Sequence, residues 1–261
     1  MRKVRKPAAN MLPVRETRIG KAILACVDYG DLLEYTLPCN RHHFDRIMVV
    51  TTPTDTRTIE VAKEYGAEVY TTTAFYHNYA FFNKWAAIEE ALDVFGRDGW
   101  MCFMDADVLW PKITSGFWCQ PGYIYTPRRR LLTELSKGVC LREEAWHKFP
   151  LHPVLDWCGY SLVVNADDPR LGDPPWHETI WTYANGADRA FADKWPFERK
   201  RVPPFEVLHL GEVGKNGCGR VGVDLDGVSI TGEEKETRRR RKMYEIRNHR
   251  GKNRHKFSIA P

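Results

Sequence analysis

Two carboxylates one residue apart, Asp105 and Asp107, close an apolar run that reads Trp100-Met101-Cys102-Phe103-Met104. In extended chain, side chains i and i+2 point the same way, so both acids can converge just past the carboxyl end of a strand. Open α/β sheets bind their ligands at that edge. Hard oxygen donors there suit Mg²⁺ or Mn²⁺, which take few protein carboxylates and complete their shells with diphosphate oxygens. With 16 Asp in 261 residues, an Asp-x-Asp arises by chance about once. A second, Asp224-Leu225-Asp226, is present, among Gly and Val in a stretch that suits a surface hairpin. The first follows a strand-like run and, before it, a helix-like segment from Asn83 to Leu92, and this context singles it out.

The elements that must position the pair can be read upstream. Ile19 to Val27 reads as a first strand, left through Asp28-Tyr29-Gly30-Asp31, and Leu32 to Asn40 as a helix closed near Pro38. Arg46 to Thr51 is a second buried strand. Thr52-Pro53-Thr54-Asp55 then caps a helix that runs to Tyr65-Gly66, and Glu68 to Thr71 is a third strand. Thr72 to Phe82 is irregular, Asn83 to Phe95 an amphipathic helix, and the central strand starts at Trp100. This β-α-β-α-β order implies right-handed crossovers and a mostly parallel sheet, hence an α/β domain. Beyond Pro111, Gly122 to Thr126 and Gly159 to Asn165 alternate like half-exposed strands. A basic and aromatic segment holding Arg128, Arg129, Arg130, Trp146, His147 and Trp157 separates them. His177 to Trp195 looks helical, and Val207 to Leu210 is a last short strand.

Length and an apolar content of 43% fit one sizeable domain. No apolar run reaches the roughly 18 residues a membrane span needs, and the N-terminus lacks the apolar stretch of a signal peptide; a cytosolic location and no membrane partner are expected. Seven Cys with no Cys-x-x-Cys read as reduced thiols. The net charge of +5 hides an asymmetry: residues 1–21 carry +6, residues 233–261 carry +7, and the body is acidic. This divides the chain into a basic N-terminal segment (1–18), a central α/β domain (19–232) and a basic C-terminal extension (233–261). Basic ends of this kind bind polyphosphates by counterion release, or are simply solvated.

In order, the segments ILACVDYG, NKWAAIEEAL, MDADVLWP, GYSLVVNADDP, GADRAFADKWP and VLHLGEVGKNGCGR, spanning roughly 19–222, resemble nucleotide-sugar-dependent glycosyltransferases of the GT-A fold. They look most like the small glycosyltransferases encoded by bacteriophages. The resemblance implies a Rossmann-like GT-A domain, an Mn²⁺ or Mg²⁺ ion held by Asp105 and Asp107, and a nucleotide-sugar donor, UDP-sugar by expectation. It nominates Val27, Asp28 and Tyr29 for the base and ribose, and Asn83 and Lys84 for donor phosphate or sugar. His209 is nominated as a third metal ligand, with Lys215 reaching the diphosphate and Arg220 as an additional phosphate contact. The motif departs from the usual form, since Gly211 and Gly214 replace its middle residues and no Pro-Trp follows Lys215.

The chemistry implied is displacement of a diphosphate from a sugar's anomeric carbon, with the metal as Lewis acid on the leaving group. An inverting enzyme needs a general base against the acceptor hydroxyl; Asp188 is the first candidate, ahead of Asp193 and Glu178. In a retaining enzyme Asp188 would orient sugar hydroxyls instead, and a helix-capping role is the third possibility. Phage enzymes of this appearance act on hydroxylated or hydroxymethylated pyrimidines in DNA, and Trp146, Trp157, Tyr160 and Trp176 could stack a flipped base or a sugar ring. A surface-glycan acceptor, a non-catalytic nucleotide-sugar-binding module and a nucleic-acid-binding protein using only its basic ends are the other readings the residues leave open.

Overall fold

The computed structural model describes residues 19–211, except 113–117, 134–141, 156, 158, 182, 183 and 185. Both basic ends, Lys215, Arg220 and the second Asp pair lie outside the described residues. The first half runs β1 (Ile19–Ala25), α1 (Gly30–Asn40), β2 (Phe44–Thr51), α2 (Thr56–Glu64), β3 (Glu68–Thr71), α3 (Lys84–Phe95) and β4 (Trp100–Met104). The second half contributes β5 (Val108–Leu109), β6 (Ile124–Tyr125), β7 (Arg128–Leu132), β8 (Ser161–Asn165), α4 (Ala187–Ala192), β9 (Lys200–Arg201) and β10 (Glu206–Leu210).

Seven strands form the main sheet in the order β3-β2-β1-β4-β8-β6-β9. From β3 to β4 the pairing is parallel, and β8 then lies antiparallel between β4 and β6. The α/β class with a mostly parallel central sheet is the one read from the sequence. Period-two alternation sends Ala22, Leu24, Ile47, Val49, Cys102 and Met104 to one face, under α1 and α2. Ile23, Ala25, Met48, Val50, Met101 and Phe103 face the other side, under α3 and α4. Both faces are covered, which is why these strands read as unbroken apolar runs. Local signals set the helix ends. Asp55 accepts from Thr58 N–H at the start of α2, Asn83 accepts from Ala86 N–H at the start of α3, and Gly96 ends α3 at φ 87°.

Several sequence expectations need correction. The Ser161–Asn165 and Ile124–Tyr125 strands are buried rather than half-exposed, because β8 is inserted inside the sheet instead of bounding it. The helix expected over His177 to Trp195 shrinks to Ala187–Ala192. Upstream, the backbone N–H and Nδ1 of His177 both bind Glu89 Oε1, at 2.9 and 2.5 Å, which holds that stretch out of helical form. Gly186 at φ 94° then breaks any continuity. Helix α1 ends at Asn40, as expected, with Pro38 inside its last turn. In a last turn the missing N–H costs a single bond. The basic segment after Pro127 supplies a strand, β7, which joins β10 and β5 in a second sheet of order β5-β10-β7. Among the described residues, Cys39 and Cys102 are free thiols, and no helix is long and apolar enough to cross a membrane.

Candidate metal and transfer site

The second sheet builds the centre. After Asp107 the chain enters β5, which pairs antiparallel with β10 so that His209 stands opposite Val108. Leu210 N–H donates to the Asp107 carbonyl at 2.8 Å and locks that register. The result gathers Asp105, Asp107 and His209, each offering one ligand atom within 4.8 Å of the others. His209 Nε2 lies 3.7 Å from Asp107 Oδ1, too far for a hydrogen bond. Among the described residues, neither Asp107 Oδ1 nor His209 Nδ1, both buried, has a hydrogen-bond partner. Buried polar atoms left without partners are rare and ask for an explanation; a divalent cation shared by two carboxylates and an imidazole fits this donor set, and Mn²⁺ accepts the nitrogen readily. Burial pushes the Asp107 carboxyl above the ordinary aspartate range, His209 opposes that shift, and Asp105 adds to it.

The loop carrying the acids is held from behind. Thr36 Oγ1 donates to the Ala106 carbonyl at 2.8 Å. Asn40 Nδ2 donates to the Val108 carbonyl at 2.7 Å, and Asn40 Oδ1 accepts from Trp110 N–H at 2.9 Å. Both side chains are 0% exposed. Asp105 N–H donates to the Tyr160 carbonyl at 3.0 Å, tying the first acid to the approach of β8. Sequence reasoning missed Thr36 and Asn40, whose only signal was a pair of polar residues on the inner side of an otherwise apolar helix.

Lys84 and Asp188 complete the cluster. Lys84 opens α3, and its ammonium lies 3.1 Å from Asp105 Oδ1 and 3.0 Å from Asp188 Oδ1. Burial works against its charge, but the two carboxylates outweigh it and hold the ammonium above the usual lysine value. Asp188 sits in the first turn of α4, which it does not cap. Burial raises its carboxyl above the ordinary range, against the pull of Lys84. Gly159 explains how they meet: a Cβ there would stand 2.6 Å from Asp188 Cγ and 2.9 Å from Lys84 Nζ. A side chain at 159 would fill the space that the ion pair occupies.

The other nominated residues are distributed as follows. Asp28 is exposed at φ 63°, and its N–H donates to Asp55 Oδ2 at 2.7 Å, so the turn after β1 is pinned by the residue that caps α2. Val27 and Tyr29 are buried beside it. Asn83 is buried, with its carbonyl capping α3 and its amide donating to the Thr179 carbonyl at 2.6 Å. Glu178 is exposed and accepts from Trp181 Nε1 at 3.2 Å, and Asp193 pairs with Lys200 at 2.7 Å. Of the four aromatics expected to stack a base or sugar, Trp146, Tyr160 and Trp176 are core residues, leaving Trp157 half-exposed. Their burial follows from the second sheet and the loop over α3, which cover them. A cleft of about 390 Å³ runs along α3 between Glu89, Glu90, Asp93, Arg97 and Pro174. It contains none of the clustered residues, and its carboxylates are already taken by Arg97 and Thr72. The candidate ligand set of Asp105, Asp107 and His209 lies apart from this cleft.

No protein-family model and no curated protein matches the chain. Among solved structures, mannosyl-3-phosphoglycerate synthase from Rubrobacter xylanophilus is 20% identical, over 56% of this chain and 52% of that one, with a TM-score of 0.39. Glucosyl-3-phosphoglycerate synthase from Mycobacterium tuberculosis, in complex with Mn²⁺, uridine diphosphate and glucosyl-3-phosphoglycerate, is 13% identical over 74% and 71%, with a TM-score of 0.44. The inositol-1-phosphate CTP transferase from T. maritima is 12% identical over 76% and 92%, with a TM-score of 0.47. The chain thus spans about half the length of the first of these. Likenesses of this size transfer no activity to the chain.

Proposed function

We propose that the chain is a metal-dependent glycosyltransferase that moves a sugar from a nucleotide-sugar donor to a hydroxyl acceptor, most specifically a hydroxylated or hydroxymethylated pyrimidine in DNA. The observation that carries the reading is the convergence of Asp105, Asp107 and His209 at the carboxyl edge of β4, where Asp107 Oδ1 and His209 Nδ1 are buried with no hydrogen-bond partner among the described residues. Asp105, Asp107 and His209 would hold Mn²⁺ or Mg²⁺, which when bound supplies Lewis-acid stabilisation of the diphosphate leaving group.

The chain's own residues supply the rest. The turn at Val27, Asp28 and Tyr29 lies at the end of β1, the strand next to β4, where the nucleoside end of a donor would extend along the sheet edge. Lys84 sets the positions of Asp105 and Asp188 together, and its ammonium adds positive charge beside a departing phosphate. Asn83 fixes the helix start from which Lys84 projects. Asp188, with a carboxyl raised by burial, is matched to take the acceptor's hydroxyl proton as the oxygen attacks the anomeric carbon. Lys215 would meet the diphosphate from beyond β10. Support for a nucleic-acid acceptor comes from the basic ends of the sequence and the resemblance to phage enzymes.

The test is transfer of labelled sugar from a panel of nucleotide sugars, with Mn²⁺, to hydroxymethylated duplex DNA or to oligosaccharides. Label in the duplex, lost in Asp105→Ala and Asp107→Ala, is the expected result. Label only in the oligosaccharide would move the acceptor to a glycan, nucleoside diphosphate release unaffected by either substitution would remove these acids from the chemistry, and no release from any donor would remove the enzyme reading altogether.

A further inference from the structure

The edge strand β9 carries an arrangement that the transfer site does not use. Arg199 and Arg201 lie on either side of Lys200, and their guanidinium carbons stand 4.9 and 4.5 Å from the ring centroid of Tyr123, so one tyrosine holds two arginines. Lys200 points elsewhere, over Trp157 and onto Asp193. A third guanidinium joins them: Arg170 Nη1 and Arg199 Nη1 both approach Gly122, within 3.8 and 3.7 Å of where its Cβ would stand. Only Arg170 has a carboxylate, Asp168 at 3.1 Å. Among the described residues, neither Arg199 nor Arg201 has an acidic partner within salt-bridge distance. Beside them, Phe197 is 84% exposed.

Charge on an edge strand protects it from pairing with other chains, and one arginine or lysine is enough for that. Such protection does not call for two guanidiniums on one ring, nor for a third drawn in beside them. Guanidinium groups that crowd without counter-charge repel each other unless an anion joins them. Their planar forks match phosphate in a bidentate way that lysine cannot. Stacking on Tyr123 fixes the forks in advance and lowers the entropy lost on binding. An exposed aromatic next to phosphate-binding arginines is the combination that nucleic-acid surfaces use for backbone and base together.

We infer that Arg199, Arg201 and Tyr123, with Arg170 and Phe197, form a docking surface for the phosphodiester backbone of nucleic acid. This rests on the proposed reading that nucleic acid is the acceptor, and it names where the polymer lies outside the transfer site. β9 is three strands from β4, about 14 Å to the side at the usual strand spacing. The register sets Arg201 level with Cys102, with Arg199 and Tyr123 nearer the amino end of β4, so the patch would hold a stretch of polymer that lies beyond the sheet edge from Asp105, away from the nucleotide being modified.

Full-length protein and the variant Arg199→Ala/Arg201→Ala would be titrated with a short fluorescent duplex over a series of KCl concentrations, with Lys63→Ala on α2 as control. The expected result is a slope of log K against log[KCl] smaller by about 2 in the double variant. Lys63→Ala should match the wild type, and nucleoside diphosphate release without acceptor should be unchanged in both variants. Equal slopes in wild type and double variant overturn the surface while leaving the acceptor reading intact. If the wild type binds no duplex at low salt yet transfers sugar to an oligosaccharide, the acceptor reading falls and the surface with it. Loss of binding to phosphatidylserine vesicles, with duplex binding unaltered, would reassign the patch to a membrane face and equally overturn it.

Discussion

Lys84 is clamped to Asp188 at 3.0 Å while also reaching Asp105 at 3.1 Å, so one buried ammonium sets the spacing of two carboxylates that come from different ends of the domain. Replacing Lys84 by Met leaves two acids, one of them buried, facing each other without a cation. Removal of one partner from a buried ion pair costs about 3–5 kcal/mol. Because Asp105 is one-third exposed, the lower end of that range is expected in urea denaturation, and transfer activity should disappear with it.

Gly159→Ala should leave the fold in place but separate Lys84 from Asp188, since the added methyl group overlaps both side chains. Overpacking of this kind costs about 1–3 kcal/mol. Displacing a positioned group by about 1 Å lowers the rate about 10²-fold. The signature is a fall in kcat with donor KM nearly unchanged, measured by nucleoside diphosphate release.

Metal binding should be visible without turnover. Mn²⁺ at 100 times its Kd stabilises a folded protein by about 2.7 kcal/mol, so thermal unfolding should shift upward with Mn²⁺ in the wild type and hardly at all in Asp107→Asn or His209→Ala. An unchanged shift in both variants would place the cation elsewhere.

Asn40→Ala tests the support behind the acids. It removes the hydrogen bonds that Asn40 makes to the Val108 carbonyl and the Trp110 N–H, at a cost of about 1–3 kcal/mol. The loop between β4 and β5 loosens as a result, and Mn²⁺ affinity should drop although residue 40 touches no ligand. Calorimetric titration with Mn²⁺ reads this directly.

His177 gives the pH dependence of stability. Its ring stacks against both Trp85 and Phe191, at 3.8 and 4.0 Å between centroids. Burial takes its imidazole down from 6.5 to about 4, although Glu89 pulls the other way. As pH falls below 6.5 the unfolded chain takes up a proton that the fold refuses until about pH 4. The unfolded state therefore binds more protons, and stability is lost across that window. Glu89, whose carboxyl is held below its ordinary value despite burial, acts in the same direction at the acid end. His177→Phe should remove about 1.4 kcal/mol per pH unit from the slope of unfolding free energy between pH 6 and 4.5.

The parallel half of the domain was legible because each of its signals is local. Asp55 and Asn83 cap the helices they precede, Gly66 and Gly96 end them, and buried strands read as apolar runs. Asp105 and Asp107 stood out for the same reason. The second half was misread where tertiary contacts override local pattern. Glu89 captures His177 and holds the chain just after it out of helix, and Arg128–Leu132 form a strand only because β10 is there to pair with. Trp146, Tyr160 and Trp176 have the composition of a stacking surface and the burial of a core, a difference that depends on what covers them. Gly159 carries no chemical signal in the sequence, since its role is to be absent where two other side chains meet.

The pairing of β5 with β10 has a consequence for how the molecule matures. Asp107 leaves the ribosome long before His209, and the antiparallel ladder that unites them closes a long loop that only forms late, because distant contacts are the slowest to be made. On the proposed reading, a nascent or clipped chain ending before Glu206 carries Asp105 and Asp107 but lacks His209, and so presents two of the three candidate cation ligands. Competence for transfer is thereby withheld from incomplete copies.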